Sequence, residues 1–154
     1  MFDMKKILVL IATALLCLSL AGCGVEFTES QYNSDSIIAQ KGDNGLSKMS
    51  VMSTKNKNEV SFSVQEFKGT KTLWTMDYIK GGETAVDVTF TLKAGKAKLV
   101  HIDSDGKVET IAECTPDSGI ERSTGYIINL SKGRNRIKLV GIDVEDLKVE
   151  FTVG

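Results

Sequence analysis

The sequence predicts an all-β fold: one small antiparallel sandwich of about eight strands, set behind an apolar leader and a polar connecting stretch. Three observations predict it. Beyond residue 58, apolar and polar residues alternate one by one, as strands buried on a single side require. Glycine-bearing pairs interrupt the alternation at short, regular intervals. After the leader, no stretch spaces its apolar residues at three and four as a helix would.

The leader comes first. Lys5 and Lys6 precede an apolar run from Ile7 to Ala21. As a helix that run spans roughly 22 Å, against a hydrocarbon core about 30 Å thick, so it is short for a permanent span. A basic start, a brief apolar stretch and small residues before a break describe a secretory signal peptide. The ending Leu20-Ala21-Gly22-Cys23 resembles the lipobox of bacterial lipoproteins. The resemblance implies cleavage of residues 1–22 and a thioether-linked diacylglycerol on Cys23. It also implies a protein held at the cell membrane on its extracytoplasmic side. At about 0.8 kcal/mol per buried CH₂, two acyl chains hold where one would slip off. A plain secretory signal with an incidental cysteine is the alternative.

Composition narrows the classes. Removing 22 of 154 residues leaves 132, and takes one acid and two lysines with it, so the formal charge moves from −1 to −2. Nucleic-acid binders carry a basic face, and this balance argues against one. Cys17 leaves with the leader and Cys23 is claimed by lipid, so Cys114 is the one thiol left. An internal disulfide is impossible, and stability must come from a packed core.

Residues 23–58 read as a lipidated cysteine and a flexible tether. Ser, Asn, Gln, Lys and Gly dominate, and scattered apolar residues offer too little burial to offset ordering entropy. A coil of that length would hold the domain roughly 30 Å from the bilayer. Met49 to Ser53, "MSVMS", is the exception and reads as a first edge strand.

The domain, 59–154, follows. "EVSFSV" puts Val60, Phe62 and Val64 on one face; "VDVTFTLK" does so with Val86, Val88, Phe90 and Leu92; "LKVEFTV" with Leu147, Val149, Phe151 and Val153. Between such runs lie Gly81-Gly82, Ala94-Gly95, Asp105-Gly106 and Lys132-Gly133, residues that supply tight turns. The expected strands are 59–67, 71–79, 84–93, 96–103, 107–114, 124–131, 134–142 and 146–153. Short strands at this spacing imply a sandwich or barrel. "INLSKGRNRIKLVGID" followed by "LKVEFTV" resembles the closing strands of jelly-roll, carbohydrate-binding-like sandwiches, and that resemblance implies a jelly-roll arrangement.

Candidate chemistry is sparse. His101 is the only histidine, and Cys114 the only candidate nucleophile; catalysis would need them within hydrogen-bond reach. One histidine and one thiol do not make a zinc site without carboxylates. No cofactor is expected. Two acidic turns, Asp103 to Gly106 and Asp143 with Glu145 and Asp146, offer hard oxygen ligands for calcium, although Asp-Gly is also a favoured hairpin turn.

A binding face has two candidates. "TLWTMDYIKGG" places Trp74, Met76 and Tyr78 on one side of a strand. Facing water, they form a platform for stacking on sugar rings; facing inward, Trp74 is a central core residue. The opposite side mixes Leu73 and Ile79 with Asp77, so alternation leaves both placements open. "KGRNRIK" places Arg134, Arg136 and Lys138 on one face, either as a contact for anionic partners or as a solvated, aggregation-resistant edge. The candidate ligand contacts are therefore Trp74, Tyr78, Arg134 and Arg136. The leading expectation is a non-catalytic binding or adhesion module with a glycan or other envelope component as ligand. An accessory envelope protein working through protein contacts comes second, and a small secreted hydrolase third.

Mass spectrometry of the product extracted from bacterial membranes is expected to show residues 1–22 absent and a diacylglyceryl group on Cys23. An intact leader or an unmodified Cys23 would remove the anchor.

Overall fold

The computed structural model describes residues 26–154; the leader and the lipobox with Cys23 lie outside the described residues. Two short helices, α1 (Glu29–Tyr32) and α2 (Asp35–Ile38), precede eight strands. These are β1 (Leu46–Lys48), β2 (Val51–Asn56), β3 (Glu59–Tyr78), β4 (Gly82–Thr91), β5 (Ala94–Ile102), β6 (Val108–Cys114), β7 (Glu121–Leu130) and β8 (Gly133–Val153). All pairings are antiparallel. The fold is the all-β sandwich that the alternation predicts, with the jelly-roll-like arrangement that the resemblance of the closing strands implies.

Its frame is a long ribbon. β3 and β8 pair from Glu59 opposite Thr152 to Tyr78 opposite Gly133, and the ribbon bends across both layers of the sandwich. In the first layer, residues 148–153 of β8 pair with β4, which pairs with β7, while β2 flanks the start of β3. In the second layer, the earlier part of β8 pairs with β5, which pairs with β6. Strands that switch layers do so through bulges. Here the register of β3 shifts between Phe67 and Gly69, and Gly69 takes φ +115. Opposite it, Asp143 and Asp146 adopt φ 48 and 47, a left-handed conformation that interrupts the ladder of β8.

Those bends explain a difference from the sequence reading. The expected strands 59–67 and 71–79 are one strand, as are 134–142 and 146–153. The alternation breaks at "FKGTK" and "GIDVED" because the chain changes layer there, not because it turns back. β1 and β2 restore the count to eight. The predicted edge pairing of "MSVMS" is present from Val51 on, with Val51 opposite Ser63 and Met52 opposite Phe62, while Met49 and Ser50 fall in the break between β1 and β2.

The core lies between the layers. Val60, Phe62, Val88, Phe90, Val149 and Phe151 from the first meet Leu99, Ile111, Cys114, Ile137 and Leu139 from the second in one buried cluster. Each such side chain contributes roughly 1.5–3 kcal/mol on burial.

The expectation of a flexible tether needs correction over its described part. Phe27, Tyr32 and Ile38 are buried, and they form a second cluster with Val100, Ile102 and Val140 on the outer face of β5 and β8. The segment is a strap. Its own composition carries too little apolar surface to fold, but the sheet supplies the partners that the composition lacks. Lys96 and Lys98 close over the Tyr32 ring, each ammonium 4.6 Å from its centroid. The Tyr32 hydroxyl donates to Glu113 at 2.7 Å, and Lys96 pairs with Glu29.

Gly141 marks the inside of the bend. A Cβ there would stand 2.7 Å from Phe67 Cδ1 and 2.9 Å from Val144 Cγ2. Gly141→Ala is expected to lower stability by about 1–3 kcal/mol through overpacking, read as a fall in the urea midpoint.

Candidate functional site

The inward placement of Trp74 is the one realised. Trp74 is opposite Ile137, only 5% exposed, and its Nε1–H donates to the Lys57 carbonyl at 2.9 Å. Tyr78 and Met76 are half-buried against the same core, with the Trp74 and Tyr78 rings 6.5 Å apart. The platform reading of Trp74 and Tyr78 is thereby corrected: Leu73 is taken up in a bulge, and the aromatic side chains turn inward. A tryptophan whose N–H finds a backbone carbonyl is well placed in a core.

The cationic stripe does lie along one face, but the strap covers most of it. Arg136 donates through Nη1 to the Gln40 carbonyl and through Nη2 to that of Ala39, both at 2.8 Å. Lys138 has no solvent exposure; its ammonium donates to the carbonyls of Gln40 at 2.6 Å and Gly42 at 2.9 Å, and lies 3.4 Å from Asp43. Burial pulls both cations below their ordinary pKa values, while Asp43 pulls the other way. Arg134 stays exposed, held fork to fork by Asp77 with both contacts at 3.1 Å. Neither the open stripe nor the solvated edge therefore describes Arg136 or Lys138.

A cleft of about 580 Å³ does gather Arg134 and Arg136 with Lys41, Asp43, Asp77 and Asp103. Its charges are mostly engaged internally. Asp43 accepts from the Thr72 amide and hydroxyl, and Asp103 from the amides of Asp105 and Lys107. The Asp103–Gly106 turn thus uses its leading carboxylate to hold itself together. The other acidic group is a bend, not a turn: Asp143 pairs with Lys68 at 3.0 Å, and Glu145 and Asp146 lie within 3.8 Å of Lys93. Among the described residues, no three or more His, Cys, Asp or Glu side chains gather in a metal-holding group.

His101 and Cys114 do not meet. Cys114 is opposite Ala97 and His101 opposite Glu109 along the β5–β6 pair. His101 Nε2 lies 3.2 Å from Asn135 Oδ1, and the Asn135 amide also caps the Ser131–Gly133 turn. The Cys114 thiol is buried among the carbonyls of Phe90, Thr115 and Gly119. Both are structural.

The opposite outer face is different. Across the first layer runs an open groove of about 460 Å³, lined by Ser53 and Lys55 of β2, Ser61 of β3, Asp87 and Thr89 of β4, Arg122 and Thr124 of β7, and Glu150 and Thr152 of β8. Alternation aims these side chains outward while Val60, Val88 and Phe151 point to the core. Some groups have internal partners: Asp87 accepts from the Gly125 amide at 2.6 Å, and Glu150 from Ser61 and Lys148. Arg122 has no ion-pair partner among the described residues. The sequence reading missed this groove, because its residues were treated only as the polar half of each strand. The signal was there, since Ser, Thr, Asp and Glu crowd the outward positions of five strands that become neighbours.

No family model matches the sequence, and no curated protein matches it. Among solved structures, a family 29 carbohydrate-binding module is similar at 12% identity, covering 73% of this chain and 77% of its own, with a TM-score of 0.40. A family 61 module, described in complex with β-1,4-galactotriose, shows 15% identity, coverage of 84% and 97%, and a TM-score of 0.39. A family 35 module from Paenibacillus barcinonensis shows 15% identity, coverage of 75% and 94%, and a TM-score of 0.36.

Burial holds the His101 pKa below its ordinary 6.5, because the charged ring would lose its hydration. Below that value the unfolded chain takes up a proton that the folded chain resists. Urea midpoints are expected to fall as pH drops from about 7 towards 5, and His101→Gln should flatten that part of the profile.

Proposed function

We propose that this protein is a lipid-anchored, extracytoplasmic binding module without catalytic activity, whose ligand is a glycan lying along the groove of the first layer. The single observation that carries the reading is the groove itself: an open, polar trough across five strands, in which hydroxyl groups flank a guanidinium without an ion-pair partner among the described residues. Polyhydroxylated ligands are recognised by such convergent donors and acceptors, with fixed strands limiting the entropy lost on binding. Arg122 and the hydroxyls of Thr89 and Thr124 supply donors; Asp87 and Glu150 supply acceptors. The aromatic platform plays no part, since Trp74 and Tyr78 face the core.

The non-catalytic reading draws support from the separation of His101 from Cys114 and from the shallow, open form of the groove. Anchoring through Cys23 draws on the lipobox.

Titration calorimetry against envelope and host glycans is expected to find a ligand whose affinity falls at least tenfold, about 1.4 kcal/mol, in Arg122→Ala. Trp74 emission should stay unchanged during that titration, because the indole is shut inside the core. A ligand that shifts Trp74 emission and binds Arg122→Ala undiminished would move the site elsewhere.

A further inference from the structure

We propose that the outer edge formed by β1 and β2 is a membrane-contact surface, lying in the headgroup region of the bilayer that carries the Cys23 lipid. This rests on the lipid anchoring proposed above. β1 and β2 run end to end along β3, with Leu46 opposite Lys68 and Val51 opposite Ser63, and Met49 at φ 50 marks the break between them. Together they form one interrupted edge strand. Its apolar side chains are open: Leu46 is 75% exposed, Met49 69%, Val51 65% and Met52 52%. An exposed apolar edge is a standing invitation to unwanted pairing unless something covers it.

The position of the strap says what covers it. Glu26 pairs with Lys68 at 2.9 Å, and Lys68 is the partner of Leu46 across the β1–β3 pair. The strap therefore begins at one end of this edge, fixed by the buried Phe27 next in sequence. Cys23 lies three residues before Glu26, and three residues reach at most roughly 11 Å. The proposed anchor therefore meets the described fold through Glu26, at the Leu46 end of this edge. Leu46 to Met52 extends about 20 Å further along the strand.

The chemistry of the edge fits that setting. Lys57 is exposed just beyond the apolar positions, suited to anionic headgroups, while Lys48 and Lys55 are exposed but pair with Glu66 at 2.8 Å and Glu59 at 3.4 Å. An element lying in the interface buries its apolar side chains to about 5–10 Å while water still reaches its backbone, so the unpaired edge amides and carbonyls keep their hydration. The same lysines oppose strand-to-strand pairing with a second copy. The groove lies on the outer face of the layer that this edge borders and reaches β2 only at Ser53 and Lys55, beyond the apolar positions 46–52, so membrane contact along those positions leaves the groove open to the side.

The test uses the full-length, membrane-matured protein in vesicles of phosphatidylethanolamine and phosphatidylglycerol that contain acyl-brominated lipid. A nitrobenzoxadiazole label is placed at Met52→Cys, at Val51→Cys, and, as a control on the far edge, at Ile127→Cys. The expected result is that both edge labels lose most of their emission to the brominated lipid while the Ile127 label keeps its own. Equal quenching at all three positions overturns the proposal. So does absence of quenching accompanied by a dimer in crosslinking, which would give the edge to a second copy. Unquenched edge labels on a protein whose mass shows diacylated Cys23 overturn the edge contact and leave the anchor standing. An unmodified Cys23 overturns the anchor, and the contact with it.

Discussion

Lys138 carries its ammonium group into a place without solvent, and much of the rest of the molecule is arranged around that fact. Removing such an ion from water costs several kcal/mol even after relaxation. A lysine has three donors, and this one meets three acceptors: the carbonyls of Gln40 and Gly42 and the carboxylate of Asp43. All three belong to the strap. Without the strap, Lys138 and Arg136 would sit beside Val140 and Ile102 on an open face. With it, that face is closed, charge and apolar surface together. Neither component suffices alone, since α1 and α2 are one turn each and cannot persist without tertiary contacts.

Closing one face decides what the other is free to do. The β3–β8 ribbon holds the two layers in a fixed relation, because each of its strands belongs to both. The second layer shows the strap to solvent, and the first shows a polar trough lined by four strands and an edge. Function, if it lies in binding, therefore falls to the first layer. The strap begins against β3, through Glu26 and Lys68, so the anchor proposed at Cys23 would join the body directly rather than through a loose coil. Under that proposal, orientation relative to the membrane would be a property of the fold.

Much of the fold was legible in the sequence, for a simple reason. Val60, Phe62 and Val64, or Leu147, Val149, Phe151 and Val153, announce one-sided burial by alternation alone, and that pattern fixes class and core together. The bends were not legible: Asp143 and Asp146 read as turn residues, and only pairing with β3 shows that the chain continues beyond them. The strap was illegible because Phe27, Tyr32 and Ile38 follow no period; their partners Val100, Ile102 and Val140 lie far along the chain. The aromatic set on β3 was ambiguous for a local reason, a bulge at Leu73 that lets neighbouring Leu73 and Trp74 both be buried. The groove was hidden because no single strand carries it; it exists only where outward Ser, Thr, Asp, Glu and Arg side chains of separate strands come side by side.

The sealing of the second layer by the strap is tested most directly by hydrogen exchange at single amides. Tyr32, Ile38 and Ala39 donate to the carbonyls of Thr28, Ser34 and Asp35 within the strap. If Lys138 and Arg136 hold that segment in place, exchange at these three amides should be strongly slowed relative to an unstructured peptide. Exchange at the free-peptide rate would mean that the segment is loose after all, and a buried ammonium without its acceptors would have no physical basis.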